Sequence, residues 1–168
     1  MSRQHNWAAF AAGASLVMLP STVNAGPPSA VVSAPTLAAW SQRVFKDLDR
    51  QLRVPIDNRS QVMPTGIAAV KFGCSDNGAP SAVKLYKSSG DRRLDRATMR
   101  AVRKIATLHP LPSRLGHDQQ YIVRVLFADS GRSAEREIKK MQEEAAKSNG
   151  WYNQNSTSTA AIELAPIG

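Results

Sequence analysis

The feature that most constrains the fold is a pair of strand-like runs joined by a turn signal. The first run, GIAAVKFGC at 66–74, alternates apolar and other residues, as a strand with one buried face does. Its apolar side chains share one face: Ala68, Val70, Phe72 and Cys74. Asp76-Asn77-Gly78 follows, and Asn and Gly tolerate the positive φ of tight hairpin turns. The sequence therefore predicts an antiparallel hairpin with a returning strand over 81–88, and Pro80 indicates that this strand begins at a sheet edge or a bulge.

An amphipathic helix is predicted before the hairpin. Thr36 is a suitable N-cap, and the helix must end by Val54 because Pro55 cannot continue it. Apolar residues recur along one face with helical spacing: Leu37, Trp40, Val44 and Leu48.

A second helix follows the hairpin. Ser88-Ser89-Gly90 ends the strand, Asp91 or Ser89 can cap the helix, and the helical pattern runs to about Thr107. The apolar stripe comprises Leu94, Ala97, Thr98, Ala101 and Ile105. The opposite face is basic and comprises Arg93, Arg96, Arg100, Arg103 and Lys104. This basic face either binds an anionic partner or only keeps the domain soluble.

A third strand is predicted at Tyr121–Phe127, and a charged helix with a disordered tail at 131–168. Three strands need a covering layer, which the two amphipathic helices supply. The expected fold class is α+β, a small antiparallel sheet of about three strands covered on one face by two helices, within a domain at 36–130.

The N-terminal residues indicate export. An apolar run of 13 residues at 7–19 is too short to span a bilayer but suits a signal peptide. We interpret 1–25 as a cleaved signal and 26–35 as a short linker, which places the chain in the periplasm; without cleavage, the segment would anchor it in the inner membrane. The formal charge of +9 favours anionic partners, and export makes these envelope polymer or lipid rather than nucleic acid.

No catalytic, cofactor or metal site is predicted. His109 and His117 lie eight positions apart in a Pro-containing loop, with no Cys or carboxylate at metal-ligand spacing. Cys74 has no second cysteine for a disulfide and lies on an apolar strand face, where a free Cys acts as a small hydrophobe. There is no phosphate-binding glycine motif, and no paired-carboxylate or Ser/His/Asp arrangement. The sequence thus indicates a non-enzymatic protein.

The order of these segments resembles the C-terminal domain of the TonB family of periplasmic energy transducers. The matching pieces are GIAAVKF at 66–72, SDNG at 75–78, KSSG at 87–90, LDRAT at 94–98, LHPLP at 108–112 and YIVRVLF at 121–127. The resemblance covers roughly 36–128 and rests on the ordered set of pieces, since no single one is specific.

The resemblance implies a domain that binds an extended segment of an outer-membrane transporter, or of another envelope protein, by strand addition to a sheet edge. The expected edge is the third strand, with contacts from Tyr121, Ile122, Val123, Arg124 and Val125. Whether the chain is a soluble accessory module or a signal-anchored energy transducer stays open, as does a homodimer formed by strand exchange.

Overall fold

A computed structural model of the chain describes residues 33–54, 63–154, 158 and 160–166. The predicted signal peptide and most of the predicted linker lie outside these residues. The elements, in chain order, are α1 (Leu37–Gln51), β1 (Gly66–Cys74), β2 (Pro80–Lys87), α2 (Arg92–Arg103), β3 (Tyr121–Phe127), α3 (Gly131–Ser148), α4 (Gly150–Asn153) and β4 (Ile162–Leu164).

The strands form one sheet in the order β2-β1-β3-β4. β1 pairs antiparallel with β2 and with β3, which confirms the predicted hairpin. β2 lies at one edge of the sheet, begins at Pro80, and shows register shifts against β1, as Pro80 led us to expect. The fourth strand was not predicted, and it pairs parallel with β3.

The helices α1 and α2 cover the first face of the sheet, as predicted. Val70 and Val123 are register partners on that face and are fully buried. Trp40 of α1 is also fully buried, and its ring lies 5.0 Å from the ring of Tyr121. Its Nε1 donates a hydrogen bond to the carbonyl of Leu108 at 2.7 Å, which ties α1 to the loop after α2.

The helix α2 is shorter than predicted. It ends at Arg103 rather than near Thr107, and the N–H groups of Lys104 and Ile105 donate to the carbonyls three residues earlier. Such i→i−3 bonds tighten and close the last turn of a helix. Ile105 nevertheless stays in the core at 3% exposure, because the chain leaves the helix along the same apolar face.

The start of α2 is fixed by a buried carboxylate. Asp95 accepts hydrogen bonds from the Ser88 hydroxyl at 2.6 Å and from both the N–H and the hydroxyl of Ser89 at 2.8 Å. Burial raises the pKa of Asp95, but the hydrogen bonds from the two serines outweigh burial and hold the pKa below its ordinary value of 3.8. Asp91, rather than Ser89, is the N-cap, and its side chain accepts from the N–H of Arg93 at 2.7 Å.

The C-terminal residues complete the domain. The predicted charged helix is present as α3, and the described residues after it include a short helix, α4, and a strand, β4, where the sequence predicted a disordered tail. The helix α3 covers the second face of the sheet and buries Met141 and Ala145, which are 2% and 6% exposed. β4 then buries Ile162 and Leu164 in the core that α1 and α2 share. The α+β class is confirmed, with four strands instead of about three and helices on both faces.

Candidate functional site

The predicted partner-binding strand β3 is not an open edge along its whole length. β1 pairs with one side of it, and β4 pairs with the other side over three residues, with Tyr121 opposite Ile162 and Val123 opposite Leu164. Among the described residues, β4 therefore covers this edge along the first three residues of β3. The reason is that a short C-terminal segment returns to the sheet. From Arg124 to Phe127, the β4 side of β3 has no paired strand among the described residues.

The segment that contains β4 is held by backbone and side-chain hydrogen bonds. The N–H of Ile162 donates to the carbonyl of Gln120 at 2.9 Å. Asn149, which is 8% exposed, donates to the Glu163 carbonyl and accepts from the Glu163 N–H, both at 2.8 Å. Gln119 donates to the carbonyl of Ala160 at 2.6 Å. An extended segment thus lies on the outer edge of β3, and its backbone groups form hydrogen bonds with β3 and with the side chains of Asn149 and Gln119.

Arg124 is the charged centre of this edge. It lies on the second face of the sheet and makes two ion pairs at 2.6 Å, one with Glu163 of β4 and one with Glu144 of α3. Its side chain is 21% exposed and that of Glu163 13%, so the pair between them is partly shielded from water. Arg124 therefore pairs with the acidic residue at the middle position of β4.

The opposite edge of the sheet is less suited to strand addition. β2 has no outer partner among the described residues, and Leu85 and Tyr86 on it are 38% and 59% exposed. However, Ala82 has a φ of 48°, and the register of β2 against β1 shifts twice. Irregular backbone and Lys side chains, here Lys84 and Lys87, are devices that discourage pairing at an edge.

The basic face of α2 lies apart from β3. Arg93 is half-buried and pairs with Asp91 at 3.0 Å. The other four cations are exposed, and none has a carboxylate partner in the described part of the chain: Arg96, Arg100, Arg103 and Lys104. The face is thus one of largely unpaired positive charge.

One cluster was missed by the sequence reasoning. Cys74, at the end of β1, lies beside His109 and His117, with the potential ligand atoms of all three within 4.8 Å of one another. The Cys74 Sγ is 3.6 Å from the Nε2 of His109. The spacing of these residues in the chain gave no signal, because the hairpin turn and the loop after α2 meet only in the folded protein.

The central part of the domain matches a known family. Residues 64–128 match the family model of the Gram-negative bacterial TonB protein C-terminal. This match confirms the resemblance for β1, β2, α2 and β3. The elements α1, α3 and β4 lie outside the matched TonB segment; α1 and β4 share its core, and α3 covers the second face of the sheet.

No curated protein matches the chain. A solution NMR structure of TolAIII bound to a peptide derived from the N-terminus of TolB aligns with 62% of this chain and 85% of that chain, at 17% identity and a TM-score of 0.44. Within the described ranges, no helix has both the length and the apolar character needed to cross a membrane.

Proposed function

We propose that the domain binds an extended peptide segment of an envelope protein, such as an outer-membrane transporter, by strand addition at the outer edge of β3. The observation that carries this proposal is β4 itself, a three-residue parallel strand seated on that edge. Backbone hydrogen bonds at a sheet edge give affinity for an extended segment, and side-chain pockets at alternate positions give specificity. The match of residues 64–128 to the TonB C-terminal family supports an envelope partner.

The side chains of β4 define the segment that fits. Ile162 and Leu164 point into the core and are 0% and 1% exposed, while Glu163 points to the other face and pairs with Arg124. A ligand with the pattern apolar–acidic–apolar reproduces these three contacts. The chain's own segment therefore serves as a template for the partner's sequence.

A partner must displace β4 to bind in the same place. A segment tethered in the same chain competes at an effective concentration that reaches the millimolar range for short flexible connections. The partner's advantage is length: β4 pairs with residues 121–123 only, whereas β3 runs to Phe127. A longer peptide gains additional pairs along 124–127, so β4 acts as an internal competitor that favours long, well-matched partners.

The test compares the full chain with a chain truncated after Ala161. The probes are synthetic peptides with the apolar–acidic–apolar pattern, taken from extended segments of outer-membrane proteins. We expect the truncated chain to bind at least about tenfold more tightly, because the tethered competitor is gone. Glu163→Lys in the full chain should also tighten peptide binding, since the lysine is repelled by Arg124 and β4 is then held less firmly. This variant still tests the proposal if truncation impairs folding.

Two further measurements locate the site. Changes in amide NMR shifts on peptide addition should concentrate on β3. Arg124→Gln should weaken the binding of acidic peptides, whereas Arg136→Gln, at an exposed arginine of α3, should leave their binding unchanged. Equal affinity in the truncated and full chains, or shifts confined to β2, would refute this assignment of the edge. Dimerisation of the truncated chain through β3 would show that this edge binds a second copy of the chain instead of an envelope peptide.

A second candidate function is binding of anionic envelope polymer or lipid by the basic face of α2. The observation that favours it is the row of exposed cations without carboxylate partners in the described residues: Arg96, Arg100, Arg103 and Lys104. Such a surface attracts polyanions with a strong dependence on salt. The two functions use separate surfaces and can therefore be tested separately.

A further inference from the structure

The cluster at the end of β1 has the composition of a transition-metal site. Cys74 contributes a sulfur, and His109 and His117 each contribute an imidazole nitrogen. Thiolate and imidazole ligands favour zinc and copper, whereas magnesium and calcium prefer oxygen. Three protein ligands with one further position is also a known arrangement for zinc, which is usually four-coordinate.

The distances fit a tetrahedral centre. With Zn–S near 2.3 Å and Zn–N near 2.0–2.1 Å, a sulfur and a nitrogen on one tetrahedral ion lie about 3.5 Å apart. The Cys74 Sγ and His109 Nε2 are 3.6 Å apart. The largest separation in the cluster is at most 4.8 Å, which a side-chain adjustment of about 1 Å closes.

Surrounding groups hold the two histidines in place. The Nδ1 of His117 is 3.1 Å from the carbonyl of Ser75, and donation to that carbonyl leaves Nε2 with the lone pair for a metal. Metal-binding histidines commonly donate their second N–H in this way. The N–H of Leu108 donates to the carbonyl of Gly78 at 2.7 Å, and a Cβ added to Gly78 would lie 3.0 Å from the His109 ring. The hairpin turn therefore packs directly against His109.

Ordinary core packing does not explain the cluster, because His109 is only partly buried and His117 is exposed to solvent. We propose that Cys74, His109 and His117 form a zinc site, with a fourth position open to water. The bound ion connects the β1–β2 turn to the loop between α2 and β3. This site is independent of the peptide-binding function proposed for β3.

The test is a zinc titration of the full, tag-free, reduced chain in competition with a chromophoric chelator. We expect one equivalent of Zn²⁺ to bind, and Co²⁺ in its place to give a sulfur-to-metal charge-transfer band. Cys74→Ser should abolish that band. Cys74→Ser and His117→Gln should each weaken zinc binding by more than about 100-fold, since even loss of an outer-shell partner costs roughly 10–100-fold.

The matched control is Arg136→Gln, a change to the same residue type at an exposed position of α3, which should leave the zinc affinity unaltered. If Cys74→Ser fails to fold, His117→Gln still decides, because the His117 side chain is 45% exposed. The proposal is overturned if no stoichiometric binding occurs, or if the two ligand variants bind zinc as tightly as the unmodified chain.

Discussion

Replacing Asp95 with Asn removes a buried charge and keeps the size of the side chain. Asp95 is 5% exposed and accepts three hydrogen bonds from Ser88 and Ser89. The amide can still accept from Ser89 through its oxygen and donate to the Ser88 hydroxyl through its nitrogen. We therefore expect the turn before α2 to keep its shape while its hydrogen bonds weaken.

The magnitude follows from the bonds lost. Hydrogen bonds to a charged group contribute about 1.5–3 kcal/mol, and those between neutral groups about 0.5–1.5 kcal/mol. A carboxylate in the first turn of a helix adds about 0.3–1 kcal/mol through the helix dipole. Because the three bonds share one carboxylate and are not additive, we expect Asp95→Asn to lower the free energy of unfolding by about 2–3 kcal/mol near neutral pH.

The effect should depend on pH with a defined sign. The pKa of Asp95 is lowered in the folded state, so the stabilisation by its charge is fully present above the unfolded value of 3.8 and is lost as the pH falls through the folded-state pKa. The difference in the free energy of unfolding between the unmodified chain and Asp95→Asn should therefore shrink only under strongly acidic conditions.

Urea unfolding followed by tryptophan fluorescence and circular dichroism measures this difference. The matched control is Asp129→Asn, the same change at an exposed residue, which should stay within about 0.5 kcal/mol of the unmodified chain. A loss below about 0.5 kcal/mol for Asp95→Asn at neutral pH, or a loss that does not change on acidification, would refute the assigned role of the carboxylate.

Further substitutions test the core and the basic face. Trp40→Phe should lower the free energy of unfolding in urea by about 1–3 kcal/mol. Arg43 also donates a hydrogen bond to the Leu108 carbonyl, at 3.0 Å, so either residue alone still satisfies that carbonyl. The double variant Trp40→Phe/Arg43→Met should therefore lose more stability than the sum of the two single variants. Additive costs would contradict this sharing. Replacing Arg96 and Arg100 with Glu should change the free energy of unfolding by no more than about 0.5 kcal/mol relative to the unmodified chain. The same variant should be retained less on lipopolysaccharide vesicles at low salt. Undiminished retention would exclude the basic face as the binding surface.

Local patterns predicted the central part of the fold. The alternation in β1, the Asn-Gly turn and the apolar spacing of α1 each express a preference of adjacent residues, and the structure contains each element. The end of α2 was misplaced because the apolar stripe continues to Ile105 after the helical hydrogen bonds have stopped. A side-chain pattern records which residues are buried, and it does not record where the backbone changes its hydrogen bonding.

Contacts between distant segments could not be predicted in this way. The three residues of β4 are too few for a periodic signal, and their position depends on Asn149 and Gln119, which precede them in the chain. The helix α3 has little apolar surface, but it needs little, because Met141 and Ala145 suffice to cover its part of the sheet. The Cys–His cluster likewise exists only after the hairpin meets the loop.

The late position of β4 in the chain has a consequence for how the domain is made. A ribosome or a translocation channel releases the chain from its N-terminus, so β1, β2 and β3 emerge before residues 162–164. Until then, the outer side of β3 is an uncovered edge, which is the kind of surface that pairs with other chains. Newly emerging copies therefore pass through an interval in which assembly with a neighbour competes with completion of their own sheet.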